Sequence, residues 1–594
     1  MRLRPEHRSP RAWLLLSAVL ACCPAPAARA QAPTCSWGSA GVVISGAERR
    51  TLLLAGDGGA GVVAVSVPVT GDDPVSPPHS SLRFHHILEQ GRLDPNLPAE
   101  GATFFRTGTG NDPDPYPRSA LYQVVSDGAG GAYALVQLCN PNLAHLRCYE
   151  VAVMRLFHVA ADGAMYPGWP DGGVPLAGYY PSLGNKPTSI VPDGQGGVIV
   201  AWLAVLPTAT TNSVLVQRYA PGGAALWSST EQGVEVLAAA FQRLGMRVAG
   251  DRAGGAGVVV TTYTATAGRT DLLASRVLAD GSLPWGTAGK VVIQQPTYAA
   301  TLGDATFDSA GNLFITSSIA ALSGAQQRLQ CNQLLSPSAG RRFGITGTIL
   351  FPSAPIASSA AFAGGYVCMY RDANGNVRFQ SQDDVGSPQW GSGPEGMSAD
   401  WSDPDLPFRP VTTAEDHVIS VWESPFATPA PFVHAMELSE IGQPLPDWPA
   451  AGFDVCGYSS GHALADVLCE RGNLFVAFGG TEFANNAPVV QRLSRAVLGV
   501  EPLLSSRALE LAPPSPNPSR GAWNVRFALR ASAHVTLDVF DVGGRRVLAE
   551  DLGTFAAGPH TASPERAATL APGLYRVRVR AGAHTAQRTL VRVH

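Results

Sequence analysis

The chain has 594 residues, 45% of them hydrophobic and 15% charged, with 64 Gly and 48 Pro. That apolar content can build a core and excludes a wholly disordered chain, while the Gly and Pro content suits turn-dense β structure. The formal net charge of −4 argues against nucleic acid as the main partner, because phosphate binding needs a basic face.

At the N-terminus Arg2, Arg4, Arg8 and Arg11 precede the apolar run from Trp13 to Ala21, and Ala28-Arg29-Ala30 offers an A-x-A cleavage site before Gln31. The run is too short to span a bilayer. Residues 1–30 are therefore expected to be a signal peptide, leaving a mature chain with no transmembrane helix. The rival is a lipoprotein leader, since Val19-Leu20-Ala21-Cys22 loosely resembles a lipobox that Leu20 fits poorly.

A repeat begins at once. Trp37 to Ser45 reads WGSAGVVIS and Trp285 to Gln294 reads WGTAGKVVIQ. An aromatic landmark recurs at Trp37, Trp169, Trp227, Trp285, Phe343, Trp390 and Trp448, with Leu97 in the weakest unit, and several gaps are 58 residues. A D-G-x-G-G-like turn follows each, as at Asp57-Gly58-Gly59, Asp127-Gly128, Asp193-Gly194, Asp251 to Gly255 and Asp308 to Gly311. Short β-branched runs such as Thr188 to Pro192, Gly197 to Leu203 and Val214 to Tyr219 lie between turn clusters, and no amphipathic helix of useful length is visible. Eight units at fixed period indicate a stacked or radial array.

The D-x-x-G-N-x-hydrophobic pattern, as in Asp308 to Phe314, resembles that of propeller repeats, whose blades are four-stranded sheets. The fold expected is all-β: an eight-unit β-propeller over residues 31–511, read as eight blades, with a C-terminal Ig-like β-sandwich. By the same resemblance Thr188 to Pro192 is innermost in its blade and the Trp-led segment outermost. Trp37 to Ile44 should then lie beside Pro488 to Leu493 and close the ring, which removes exposed edges. A β-solenoid or two smaller propellers are the alternatives.

Seven cysteines follow the leader. In an oxidising compartment Cys139 and Cys148, and Cys456 and Cys469, are expected to bridge locally because each pair flanks a loop between pairing strands. Cys331 with Cys368 is a further option that leaves Cys35 over, although sequence does not fix connectivity. No Cys/His spacing suggests zinc.

Loops from an outermost strand to the next innermost one should open on the same end of the ring. They carry Asp112, Asp114 and Tyr116, then Tyr179 and Tyr180, Tyr298, and Trp401, Asp403 and Asp405. Aromatic faces beside carboxylates can hold a sugar or calcium, against the plainer reading of loop packing and Pro-Asp turns. The D-G-x-G-G turns and Asp372 to Asn376 read as β-turns before calcium loops, with no cofactor expected and structural calcium as an option. Gly457 to Gly461 matches G-x-S-x-G without the strand-to-helix context of a nucleophile elbow, and His85-His86 reads as a strand or turn pair.

After the linker, residues 512–516, come Asn517-Pro518-Ser519-Arg520-Gly521, strand Asn524 to Leu529, the hairpin of Val535 to Asp541 with Arg545 to Leu548, Leu570 to Tyr575 leading into Arg576 to Arg580, and a last strand, Gln587 to Val593. These motifs resemble the C-terminal sorting domain of type IX secretion cargo, an Ig-like sandwich, over residues 517–594. A plain Ig-like accessory domain is the alternative. The resemblance implies export machinery of the outer membrane as a partner, and an extracellular or cell-surface location in a Gram-negative-type bacterium. Residues 513–594 hold 11 Arg against 5 acids, so the preceding body is strongly acidic. Arg576, Arg578 and Arg580 share one strand face and read as a solvated face before a docking patch.

No catalytic constellation stands out. The function expected is a binding or interaction module for an extracellular glycan or protein, the rival being a carbohydrate-active hydrolase or lyase using loop carboxylates in the propeller mouth.

Overall fold

The structure is a computed structural model describing residues 30–593 apart from connecting segments, chiefly 45–51, 71–78, 107–117, 140–151, 177–187, 206–211, 391–396, 400–407, 413–417, 425–431, 456–461, 481–486, 498–508 and 512–518. No helix occurs among the described residues. The chain divides into two compact units, Ala32–Ala496 and a second that includes Val497–His594.

Second strands in the larger unit are nearly continuous apolar runs, such as VIVAWLAV at Val198–Val205 and VVAVS at Val62–Ser66. Such strands must be covered on both faces. Each belongs to a small antiparallel sheet whose order follows the chain, as in Arg118–Ser126, Ala132–Cys139, Ala152–Val159 and Val174–Pro175. Thr348–Phe362 serves two sheets, outermost beside Arg328–Leu335 and innermost beside Gly365–Asp372. The apolar cores lie between neighbouring sheets. One joins Val63, Val65 and Phe84 to Leu121, Ala134 and Val136; another joins Leu135 and Leu156 to Val200 and Trp202.

First and last sheets meet in the same way, for Phe475, Ala477 and Val490 share a core with Leu52, Leu54 and Val62. Innermost strands also pack in succession, and His462–Glu470 lies beside Leu52–Gly56. The N-terminal piece sits where the repeat places it. Val42 pairs with Val490 and Val43 with Val489, while Ile44 N–H donates to Pro488 O at 2.8 Å. A further strand that the repeat did not predict, Ala30–Cys35, pairs with the same partner, Val489–Val497.

The smaller unit holds two sheets: Leu509–Leu511, Val525–Leu529 and Gly558–Ala562 in one, and Arg546–Phe555, Ala533–Asp541, Gly573–Ala581 and His584–Arg592 in the other. Trp523, Phe527, Leu537, Val539, Val577 and Val579 are among the residues of its core. Ser519 of the N-P-S-R-G motif is buried and tied to the last strand, donating its N–H to Val591 O and accepting from Val593 N–H. The expected boundary at 511 moves upstream, because Leu509–Leu511 pairs with Val525–Leu529 and belongs to this unit.

Cysteine pairing differs from expectation. Cys331 and Cys368 are buried thiols, pushed up to about 12 by burial, and do not bridge. Cys469 also keeps its thiol, so the expected Cys456–Cys469 bridge does not form, whereas Cys35 is disulfide-bonded. Cys148 and Cys456 lie outside the described residues, and Cys139 ends a strand.

Candidate functional site

Antiparallel sheets that run in chain order have two unlike ends. At one end lie the turns between first and second strands and between third and fourth; at the other lie the connections between second and third strands and from each outermost strand to the next innermost. The first end is closed tightly. In five units an Asp opens the turn and accepts N–H bonds from the residues two and four positions on: Asp57 from Gly59 and Gly61, Asp127 from Ala129 and Gly131, Asp193 from Gln195 and Gly197, Asp251 from Ala253 and Gly255, and Asp308 from Ala310 and Asn312, at 2.7–3.1 Å. This is an Asx turn, in which the side chain replaces a backbone acceptor. Gly194 takes φ of 77°, which favours glycine, and a Cβ on Gly197 would meet Tyr219 O at 2.4 Å.

In three of them, Asp57, Asp127 and Asp193, the Oδ2 atom faces the third strand. It meets His86 Nε2 at 3.2 Å from Asp57, His158 Nε2 at 3.1 Å from Asp127, and Arg218 Nε at 2.8 Å from Asp193. Two of these bases also reach the next unit: His158 Nδ1 lies 2.9 Å from Pro221 O, and Arg218 Nη1 donates to Ala279 O at 3.3 Å; Arg492 of the last sheet, held by Asn473, likewise donates to Glu89 O at 2.9 Å. The carboxylates of these turns are thus engaged in building the array. Among the described residues no cluster of three His, Cys, Asp or Glu side chains is arranged to hold a metal ion.

The repeated aromatic has a matching role. Trp37, Trp169, Trp227 and Trp285 each donate the indole N–H to a carbonyl 52 residues on, at Glu89, Pro221, Ala279 and Pro337, within 2.7–2.9 Å. A buried Gln holds the aromatic's backbone N–H: Gln217 that of Trp227, Gln333 that of Phe343, Gln380 that of Trp390 and Gln491 that of Trp37. Innermost strands carry a third device. At register shifts, Gln123 accepts from Ile190 N–H, Asp304 from Ser359 N–H and Asp466 from Leu54 N–H, at 2.9–3.0 Å. A bulge re-aims the side chain, and here it satisfies an edge N–H of the neighbouring sheet.

Sequence reasoning missed these bases, glutamines and clamps. The Gln lies 10 residues before Trp227, Phe343 and Trp390, and that spacing was the available signal. Adjacent His85 and His86 have opposite environments. Burial holds His85 down at about 4, with Arg83 adding to it, while its Nε2 lies 3.0 Å from Ser66 Oγ. His86 is raised, chiefly by its hydrogen bond to Asp57 and then by Asp94, against desolvation. Desolvation also opposes ionisation of Asp57, but His86 and the Gly59 and Gly61 N–H groups outweigh it and lower the carboxyl overall.

The predicted ligand loops belong to the opposite end. Asp112, Asp114, Tyr116, Tyr179, Tyr180, Trp401, Asp403 and Asp405 lie outside the described residues, as does Gly457 to Gly461. The flanking strands are described. Ala102–Arg106 leads to Arg118–Ser126, Val174–Pro175 to Thr188–Pro192, and Met397–Ala399 to Phe408–Thr412, so all three loops join an outermost strand to the next innermost one. Tyr298 opens its innermost strand and is half-buried.

No family model and no curated protein matches the chain. Solved structures with similar features include a Dyadobacter fermentans protein of unknown function, at 10% identity and TM-score 0.31, covering 52% of this chain and 95% of that one. A polysaccharide lyase of family PL25, an ulvan lyase, gives 8% identity and TM-score 0.35 over 69% and 95%. The Trypanosoma rangeli sialidase bound to difluorosialic acid gives 12% and 0.30 over 71% and 86%. Likeness at this level carries no inference about chemistry here.

Proposed function

We propose that the larger unit is an eight-bladed propeller, closed by its N-terminal strand, that works as an extracellular binding module with its ligand face at the long-loop end. The observation that carries this reading is the contrast between the ends. Asp turns at one end commit their carboxylates to backbone N–H groups and, at Asp57, Asp127 and Asp193, to third-strand bases, whereas the strands flanking the connections that bear Asp112, Asp114, Tyr116, Trp401, Asp403 and Asp405 run to the other. Acidic and aromatic groups together suit a glycan or a polar segment of protein.

The test is a glycan and peptide array probed with residues 31–594, followed by product analysis on every hit. A binding module releases no product, and Asp→Asn changes at 112, 114, 403 and 405 alter affinity alone. Product formation abolished by one or two of those changes would replace this reading with a hydrolase or lyase. The smaller unit is proposed to direct export to the cell surface, a reading supported by its two sheets and by the Ser519 anchor on the last strand.

A further inference from the structure

We propose that the outer face of the four-stranded sheet in the smaller unit binds an anionic polysaccharide. Strand alternation puts Val577 and Val579 into the core and Arg576, Arg578 and Arg580 on the other face. Asp538, cross-strand from Arg578, is buried among them. Its Oδ2 accepts from Arg578 Nη2 and Arg580 Nη2, both at 2.8 Å, and its Oδ1 from Arg546 Nη1 at 3.2 Å. One carboxylate cannot neutralise three guanidiniums, each with about five N–H donors against roughly four acceptor sites. Arg546 and Arg580 side chains are 55% and 45% exposed, so the surplus donors are reachable. The remaining acid on this face, Asp551, is occupied by His534 at 3.0 Å.

Two further features select the partner. Thr585, Gln587 and Thr589 are the cross-strand partners of Arg580, Arg578 and Arg576 and are exposed on the same face, so a column of hydroxyl and amide groups runs beside the arginine column. Neighbouring rungs lie about 7 Å apart along a strand and about 5 Å across strands. A polymer alternating anions with hydroxyls matches both columns, and Arg forks suit carboxylate or sulfate groups. Phe540, the aromatic of this face, is covered by Arg578, whose Cζ lies 4.5 Å from the ring centroid, so no platform is left for stacking nucleic-acid bases.

The experiment uses residues 31–594 against polygalacturonate, dextran sulfate and neutral dextran, with anionic lipid vesicles and a single-stranded oligonucleotide as competing classes. Both acidic polymers should bind, more weakly as salt rises, and dextran should not. Arg576→Gln with Arg580→Gln should weaken binding about tenfold, while Arg328→Gln in the larger unit leaves it unchanged. Arg576→Glu, a reversal at an exposed position, gives the same answer if the double variant fails to fold. Binding of dextran equal to that of the acidic polymers, an unaffected double variant and charge reversal, or tighter binding of vesicles or oligonucleotide would each overturn the proposal.

Discussion

Arg252 takes φ of 59° at the turn position where Asp57, Asp127 and Asp193 are followed by glycine. A left-handed conformation costs a non-glycine residue about 1–2 kcal/mol, and the added backbone entropy of glycine returns roughly 0.5–1 of that. The side chain is exposed. Arg252→Gly should therefore stabilise the larger unit by about 1 kcal/mol, read as a higher urea midpoint. The neighbouring histidines give opposite pH signatures. His85 falls from 6.5 to about 4 on folding, so the unfolded chain binds more protons in between, and stability drops as pH falls through that window by roughly 3 kcal/mol. His86 is raised, so its contribution is full below the ordinary histidine range and is lost as pH rises through the raised value. His85→Gln should flatten the acid slope of the urea midpoint between pH 6.5 and about 4. His86→Gln should cost stability at about pH 5 but little at about pH 9. Unchanged slopes in both would refute these environments.

At the scale of elements, the final sheet makes with the N-terminal segment the pairings and core contacts that other units make within continuous chain. Asp466 reaches Leu54 across 412 positions, as Gln123 reaches Ile190 across 67. Replacing Asp466 by Ala leaves the Leu54 N–H without this acceptor, at a cost of about 2 kcal/mol for a charged hydrogen bond. Amide exchange should then accelerate in Leu52–Gly56 more than in Thr188–Pro192; equal acceleration would make Asp466 a general packing residue. Much of this element plan was legible beforehand. The aromatic spacing revealed the unit, and the likeness of Trp37 to Trp285 puts Trp37 to Ile44 beside Pro488 to Leu493, where Val42 and Val43 pair with Val490 and Val489. The clamps were not legible, because one Gln, Gln123, and two Asp, Asp304 and Asp466, do one job, and only a register shift shows that they occupy equivalent places. Cysteines misled for a related reason: Cys331 and Cys368 lie in successive sheets, yet burial and an Asn332 Nδ2 donor at 3.3 Å to Cys368 Sγ suit thiols.

At the scale of the whole molecule, the sequence grouped the connections from outermost to next innermost strands on one end, as the strand order has them, but did not show what the opposite end does with its carboxylates. Latches between Asp turns and His or Arg bases join residues 25–31 positions apart, a distance that pattern reading along one strand does not cover. The two-unit division sharpens the export question. A chain ending at 512 keeps Leu509–Leu511 without Val525–Leu529, its pairing partner, and Leu511 leaves a core in which it is buried. Misfolding of that stub would block export for reasons unrelated to sorting. A chain ending at Ala496 removes Val497–His594 and retains the pairing of Val42 with Val490 and the clamp of Asp466 on Leu54. Its larger unit should keep a stability, read from its own urea transition, within about 0.5 kcal/mol of that in the intact chain, the range of changes that break no named contact. If the smaller unit directs export, this folded truncation accumulates in the periplasm while the intact chain reaches the surface, as protease shaving of whole cells would show. Surface display of the truncation at the intact chain's level would remove the sorting role and leave the smaller unit as an accessory domain.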